Sequence, residues 1–236
     1  MGRTCYHSDT GLRVLDNGLF RWLMFRTNVL QTVLFKPAPH KYGLYYIKSL
    51  TLAARHQPGD VCLLGLGGGG VVHTLAPCLQ NYIFNAVEIN AEVIDIARQF
   101  FKINSIDNFQ VIQADALSYL LECRRKFKHI VVDLYDDSSF PANCFHEDFF
   151  KLCRQNLDEG GVLSINLANR QDVGQIMSWV CRLFNNEVIT IIVKSCNNIV
   201  LLASLGSIHP WLLALQTTRG LSRLSWQANV GYVAEF

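Results

Sequence analysis

The sequence predicts an α/β fold in which helices cover both faces of a largely parallel sheet, preceded by a small β-rich extension. Three observations lead to this prediction. From residue 61 onward, short apolar segments alternate with helical ones. Two apolar segments near residue 200 follow each other without a helix between them, and the first fifty residues carry a hairpin signal instead. Such alternation is typical of parallel sheets, because each crossover between parallel strands needs a connecting element, usually a helix.

The N-terminal extension is predicted to be a hairpin followed by a strand and a helix. Residues 12–15 and 19–25 are apolar segments on either side of Asp16-Asn17-Gly18. Asn-Gly tolerates the positive φ angles of a tight turn between strands. An extended stretch at 29–35 and a helix at 42–55 follow, so we assign residues 1–50 to the extension and its connecting helix, and 51–236 to a larger α/β domain.

The larger domain, 51–236, is predicted to contain five strand–helix units. The predicted strands are 61–66, 82–89, 109–113, 130–134 and 161–167, and the predicted helices are 71–79, 91–101, 116–123, 146–157 and 171–184. Two further strands, 187–193 and 199–205, are predicted to form an antiparallel edge. Such an ending is typical of the Rossmann-like sheets of the class I S-adenosylmethionine-dependent methyltransferases.

The composition fits one globular unit with a sizeable core. The 236 residues are 50% hydrophobic and 17% charged with a net charge of +2, which excludes a disordered or polyelectrolyte chain. The basic residues are scattered, so nucleic acid is not an expected partner. The uncharged run between Lys194 and Arg219 is long enough to cross a bilayer, but polar residues and Pro210 divide it. We therefore predict a strand, a turn and a short helix there and no membrane association.

Localisation and metal binding follow from two further features. The N-terminus has no apolar segment of the secretory type. The eight cysteines are scattered without a Cys-x-x-Cys pair, which argues against a zinc site. We expect a cytoplasmic protein with free thiols and no bound metal.

The strongest local signal is a glycine-rich turn between the first strand and the first helix of the alternating region. Gly65, Gly67 and Gly68 belong to Leu64-Gly-Leu-Gly-Gly-Gly-Gly70, and Glu88 ends the next strand. Glycines let a ligand approach the backbone, and an acid at that position accepts hydrogen bonds from ribose hydroxyls. Taken separately, the glycines could simply allow the strand and the helix to pack closely, and Glu88 could simply stabilise the N-terminus of the next helix. Together they favour nucleoside binding.

Acidic residues also follow the next two strands. Asp115, before Ala116, is placed to accept a hydrogen bond from an adenine amino group, or simply to cap a helix. Asp133, Asp136 and Asp137 lie within five residues after the fourth strand. Three carboxylates beside an apolar sheet repel one another unless a cation is bound, although a solvated loop would also carry them. The cluster favours an amine ligand.

These residues together resemble the spermidine synthase family of polyamine aminopropyltransferases, over a stretch from about residue 14 to about residue 205. The glycine-only loop is similar to that of a divergent bacterial branch of spermidine synthase-like proteins. The matching positions are the loop 65–70, the ribose motif 87–90, Asp115 with Ala116, the acids Asp133 and Asp136, a glutamine at Gln31 and a tyrosine at Tyr46.

The resemblance implies transfer of an aminopropyl group from decarboxylated S-adenosylmethionine to putrescine or a related amine, with release of methylthioadenosine. It implies that Asp136 is the catalytic base, that Asp133, Tyr46 and Asp137 bind the substrates, and that Gln31 joins the donor site. That site comprises Gly65, Gly67, Gly68, Glu88, Asp115 and Ala116. The family also implies a homodimer and a donor that acts as co-substrate, without a tightly bound cofactor.

Four positions differ from the family pattern. The loop aspartate of the family is Gly68 here, the His and Glu after its tyrosine are Ile47 and Lys48, and the proline after its second acid is Asp137. These differences motivate two alternatives. One is an S-adenosylmethionine-dependent methyltransferase on the same scaffold, and the other is a non-catalytic nucleoside-binding homologue.

Overall fold

A computed structural model describes residues 2–25, 29–41, 43–135, 139–196, 198–227 and 230–236. The N-terminal part is a four-stranded antiparallel sheet in the order β1-β2-β3-β4. Its strands are β1 (Arg3–His7), β2 (Arg13–Asp16), β3 (Phe20–Met24) and β4 (Leu30–Phe35). The predicted hairpin is confirmed, because β2 and β3 pair around Asn17, whose side-chain oxygen accepts the backbone N–H groups of Leu19 and Phe20. Strand β1 was not predicted.

The larger part is a nine-stranded sheet with helices on both faces, so the α/β prediction is confirmed. The strands are β5 (Val61–Leu64), β6 (Phe84–Glu88), β7 (Phe109–Gln113), β8 (Phe127–Val132), β9 (Leu157–Leu167), β10 (Val188–Val193), β11 (Asn198–Ser204), β12 (Arg223–Gln227) and β13 (Gly231–Glu235). The helices are α1 (Tyr45–Leu50), α2 (Leu52–His56), α3 (Gly70–Leu75), α4 (Ala91–Phe101), α5 (Ala116–Glu122), α6 (Glu147–Gln155), α7 (Arg170–Leu183) and α8 (His209–Gln216).

The strand order in this sheet is β12-β13-β10-β11-β9-β8-β5-β6-β7. Strands β5 to β9 run parallel to one another, and β11 pairs antiparallel with both β9 and β10. The predicted antiparallel pair is therefore present, but its placement at the edge was wrong. Strand β13 adds to β10 in parallel, and β12 forms the true edge beyond it.

The core has two layers because successive strand residues point to opposite faces of the sheet. In β5, Val61 and Leu63 pack with the cluster under α1, α2, α3 and α8, whereas Cys62 and Leu64 pack with the cluster under α5, α6 and α7. A third cluster joins the N-terminal sheet to α4 through Phe101 and its neighbours. Strands β5 and β8 are consequently almost completely buried, whereas β7 at the edge of the sheet stays partly exposed.

One predicted helix is divided in the structure. The helix predicted at 42–55 is interrupted at Thr51, whose hydroxyl donates to the carbonyl of Ile47 and competes with the regular backbone pattern. In the uncharged run, the predicted strand and short helix are confirmed as β11 and α8. In the part of the chain that the structure describes, no helix has the length and apolarity needed to cross a membrane.

Candidate functional site

A cavity of about 950 Å³ opens where the carboxyl ends of β5, β6, β7 and β8 face strand β4. Ligands of open α/β sheets bind outside these strand ends. Eight of the predicted site residues line it: Gln31, Tyr46, Gly65, Gly67, Glu88, Asp115, Ala116 and Asp133. Gly68 is not among the lining residues, and the predicted Asp136 and Asp137 lie outside the described residues.

The glycine turn brings the end of β5 directly against β8. Gly65 has a φ of +94°, and a Cβ atom at this position would overlap the carbonyl oxygen of Asp133. A side chain here would therefore be strained and would also push Asp133 away. The close approach places the glycine loop and Asp133 on adjoining walls of one cavity.

Gly68 faces the N-terminal sheet instead of the cavity. Its backbone N–H donates to the hydroxyl of Thr32 on β4 at 2.9 Å. A Cβ atom on Gly68 would lie 2.9 Å from the Thr32 Cβ and 3.1 Å from the Phe101 ring. Glycine at this position lets β4 pack tightly on the loop.

Glu88 connects the glycine loop with the start of α4. Its Oε2 accepts the backbone N–H of Leu66 at 3.1 Å, and its Oε1 accepts that of Asn90 at 2.9 Å. Each carboxylate oxygen retains a further lone pair. The side chain is thus oriented beside the loop and can still accept hydrogen bonds from a ligand.

Asp115 caps α5 and lines the cavity at the same time. Its Oδ1 accepts the backbone N–H of Ser118 at 2.9 Å, and its Oδ2 accepts the side-chain amide of Asn143 at 2.7 Å. Partial burial raises the pKa of Asp115, but these hydrogen bonds outweigh burial and leave the pKa below its usual value. The group remains an anionic acceptor near neutral pH.

Asp133 and Tyr46 meet although they are far apart in the sequence. The Tyr46 hydroxyl donates to Oδ2 of Asp133 at 3.1 Å, and the Asn166 amide donates to Oδ1 at 2.8 Å. Burial raises the pKa of Asp133 above its usual value, against the effect of the two hydrogen bonds. Burial and the neighbouring Asp133 charge raise the pKa of Tyr46 well above its usual value, so its hydroxyl stays a donor.

The structure adds three polar side chains that the sequence analysis missed. Asn166 interrupts the apolar run of β9, and this interruption could have been noticed in the sequence. Asn143 follows Pro141 in a loop. Thr32 is a buried polar residue in β4, where threonine is common for its strand preference alone. All three line the cavity.

The charged lining is entirely acidic. Among the lining residues that the structure describes, the acidic ones are Glu88, Asp115 and Asp133, and no lysine, arginine or histidine is present. Within the same described ranges, no group of three or more His, Cys, Asp or Glu is arranged to hold a metal ion. An acidic, partly enclosed cavity attracts organic cations and repels phosphates.

Comparison with known proteins gives one family and several related folds. A family model described as the spermine/spermidine synthase domain matches residues 45–196. The polyamine aminopropyltransferase of Chromobacterium violaceum is 28% identical over 158 residues, which are 66% of this chain and 60% of that protein. The chain thus spans less than two thirds of that relative's length.

Two solved structures show the fold. A probable spermidine synthase from Corynebacterium glutamicum superposes with a TM-score of 0.77 at 15% identity, covering 99% of this chain and 90% of that one. Human methyltransferase-like protein 13 in complex with SAH gives a TM-score of 0.58 at 21% identity, covering 74% and 91%. The class I methyltransferase-like fold with an N-terminal β-rich extension is therefore confirmed.

Proposed function

Because the chain belongs to the spermine/spermidine synthase family, we propose that it is a polyamine aminopropyltransferase. It would transfer an aminopropyl group from decarboxylated S-adenosylmethionine to putrescine or a related amine and release methylthioadenosine. The observation that carries the proposal is the acid-only lining of a cavity that contains both the glycine loop and the Asp133–Tyr46 pair. Both substrates are cations, and the cavity volume is in the upper part of the usual range for ligand sites.

The reaction requires little covalent chemistry from the protein itself. The donor sulfonium already activates the carbon that is attacked, so the protein has to align a neutral amine with that carbon. An alkylamine has a pKa of about 10 and is mostly protonated at neutral pH. A carboxylate beside it must therefore accept a proton before or during the attack.

We propose a division of the site between the two substrates. Gln31, Gly65, Gly67, Glu88, Asp115 and Ala116 would hold the donor nucleoside, and Gly68 would shape the loop behind it. Asp133, Tyr46 and Asp137 would bind the amine, and Asp136 would take its proton. The cavity contacts of Glu88, Asp115 and Asp133 support this division, whereas the roles of Asp136 and Asp137 rest on the family pattern.

A direct assay tests the proposal. Purified protein is incubated with decarboxylated S-adenosylmethionine and putrescine, and methylthioadenosine is measured. We expect product formation, and we expect Asp136→Asn to lower kcat by roughly 10²- to 10⁴-fold because the general base is lost. Asp148→Asn, at an exposed position of α6, is the matched control and should leave kcat unchanged.

Two outcomes would contradict the proposal. Absence of methylthioadenosine with a series of amine acceptors would exclude aminopropyl transfer. Tighter binding of S-adenosylhomocysteine than of methylthioadenosine in calorimetry would favour the methyltransferase alternative, to which the human structural neighbour bound to SAH is relevant.

We also propose a homodimer in the cytoplasm that acts on small molecules without nucleic-acid or membrane partners and without a resident metal. The family resemblance supports the dimer. The boundary between the extension, 1–50, and the catalytic domain, 51–236, is likewise a proposal. It is supported by the separate hydrogen bonding of the two sheets.

A further inference from the structure

Two buried asparagines lie next to each other in an otherwise apolar part of the large sheet. Asn166 in β9 is 3% exposed and Asn198 in β11 is 7% exposed. Burying an amide costs free energy unless its polar atoms are hydrogen-bonded. The hydrogen bonds of these two side chains therefore indicate what they do in this sheet.

The two amides form a chain that ends on Asp133. The Asn198 Nδ2 donates to Oδ1 of Asn166 at 2.8 Å, and the Asn166 Nδ2 donates to Oδ1 of Asp133 at 2.8 Å. Val200 of β11 lies opposite Asn166, so Asn198 is the diagonal neighbour of Asn166 on the same face of the sheet. This register brings a residue of β11, which lies two strands away from β8, to the cavity.

The direction of these hydrogen bonds matters because an amide has one accepting end and one donating end. If Asn166 turned its oxygen toward Asp133, that oxygen would face a carboxylate and repel it. The amide of Asn198, which donates to the Asn166 oxygen, holds Asn166 with its nitrogen toward Asp133. Asn198 thus acts on Asp133 through Asn166.

The group at the end of this hydrogen-bond chain is the partly buried carboxyl of Asp133. Burial favours the neutral form of Asp133, and hydrogen bonds to its carboxylate favour the charged form. Among the described residues, Tyr46 on α1 and Tyr135 on the segment after β8 interact electrostatically with Asp133, and Cys196 in the turn after β10 interacts with Tyr46. None of these carries a positive charge, so the Asp133 carboxylate is stabilised by the neutral donors Asn166 and Tyr46.

We propose that Asn166 and Asn198 are positioning residues that keep Asp133 ionised and oriented for a cationic substrate, with Asn198 acting only through Asn166. The catalytic meaning of this arrangement rests on the proposed function. The hydrogen-bond relay itself is a property of the free protein, and it can be tested without any turnover.

The test is a titration of the Asp133 carboxyl carbon by ¹³C NMR, with the resonance assigned from Asp133→Asn. Replacing Asn166 with leucine, which has a similar shape, removes a hydrogen bond to the charged form. The titration midpoint should move upward by about one pH unit. Asn198→Leu should move it upward by less, and the double variant should match Asn166→Leu alone.

The matched control is Ser164→Ala, since Ser164 is a buried polar residue two positions earlier on the same strand. It should leave the midpoint of Asp133 unchanged. Asn166→Ala serves as a second variant if leucine prevents folding, which thermal unfolding reports. An unchanged midpoint in a folded Asn166 variant would overturn the proposal. So would an additional effect of Asn198→Leu in the Asn166→Leu background.

A second readout separates this proposal from the proposed function. In the transfer assay, the acidic limb of the pH profile of kcat/KM should move upward in Asn166→Leu by the same amount as the NMR midpoint. A protein without transferase activity that still shows the NMR shifts would retain the relay and lose only the proposed function. Asn166→Leu could instead lower activity equally at all pH values and leave both the acidic limb of kcat/KM and the NMR midpoint in place. That result would mean that Asn166 has a purely structural role, and it would contradict the proposal.

Discussion

The position of Asp133 depends on an atom that Gly65 lacks. The end of β5 and the start of the segment after β8 approach so closely that any Cβ atom at residue 65 would overlap the Asp133 backbone. The glycine therefore supports the proposed amine-binding side of the cavity as well as the glycine loop. A substitution there should disturb two binding functions at once.

We predict that Gly65→Ala lowers the free energy of unfolding by more than about 2 kcal/mol and abolishes binding of methylthioadenosine. The positive φ alone costs about 1–2 kcal/mol for a residue with a Cβ atom, and the overlap with Asp133 adds to it. Urea unfolding and calorimetry measure the two effects.

Gly174→Ala provides the control. Gly174 lies on an exposed face of α7, where a Cβ atom would meet nothing within 4 Å. Alanine there should stabilise the protein by roughly 0.5–1 kcal/mol through helix propensity and leave binding unchanged. Equal effects of the two substitutions would contradict our account of Gly65.

At the scale of residues, the sequence predicted those site residues that lie at the end of a parallel strand. Glu88 is the last residue of β6 and Asp115 lies two residues after β7, and the parallel arrangement brings such positions to one edge. The contact between Tyr46 and Asp133 was available only from the family pattern, because 87 residues separate them. Asn166 and Asn198 could not be paired in advance, since their contact depends on the register of β11 against β9.

At the scale of elements, β4 links the small sheet to the glycine loop. Thr32 is 3% exposed, and its hydroxyl accepts the N–H of Gly68. The same strand contributes Gln31 to the cavity wall. The small sheet therefore forms part of the site and also fixes the loop from outside.

We predict that Thr32→Val weakens binding of methylthioadenosine by roughly 10-fold and lowers the free energy of unfolding by about 1–3 kcal/mol. Valine has nearly the same shape, but it leaves the buried N–H of Gly68 without an acceptor. Binding calorimetry and urea unfolding measure both quantities.

Thr190→Val is the corresponding control in β10. Thr190 is also buried, at 6% exposure, and its hydroxyl has only a weak sulfur contact at 3.7 Å to Met177. This substitution should change stability by less than about 1 kcal/mol and leave binding intact. The proposed role of Thr32 would be wrong if both valine variants bound the ligand equally well.

The elements that were predicted are those with continuous apolar runs. Strands β5, β6 and β8 to β11 are largely buried and read clearly from the sequence. Strands β1 and β12 lie at sheet edges, where most of their side chains are exposed and no apolar run marks them. Strand β13 is short, and its parallel pairing with β10 follows from packing that local sequence does not encode.

At the scale of the whole molecule, a buried histidine couples stability to pH. His129 in β8 is fully buried, its Nε2 contacts the Gln57 carbonyl at 2.7 Å, and its ring lies edge-on to Trp211. Burial lowers the pKa of His129 to about 4. The unfolded chain, with a pKa near 6.5 for this group, binds more protons between these two values.

We therefore predict that stability falls as the pH decreases from about 6.5 to about 4, with a contribution of roughly 3 kcal/mol from His129. Urea unfolding at a series of pH values measures the slope, and His129→Gln should flatten it over this window. His7→Gln, at an exposed position of β1, is the control and should keep the slope of the unsubstituted protein. Identical slopes for His129→Gln and the unsubstituted protein would contradict the assignment.

The placement of β13 inside the large sheet has a consequence for biosynthesis. Strand β10 leaves its outer edge unpaired until residues 231–235 dock against it. Translation proceeds at about 5–20 residues per second, so β10 waits for seconds with a free edge while the following residues are added. An exposed strand edge recruits other chains. Ribosome-bound intermediates that end before residue 231 should therefore depend on holding chaperones more strongly than the completed sheet does.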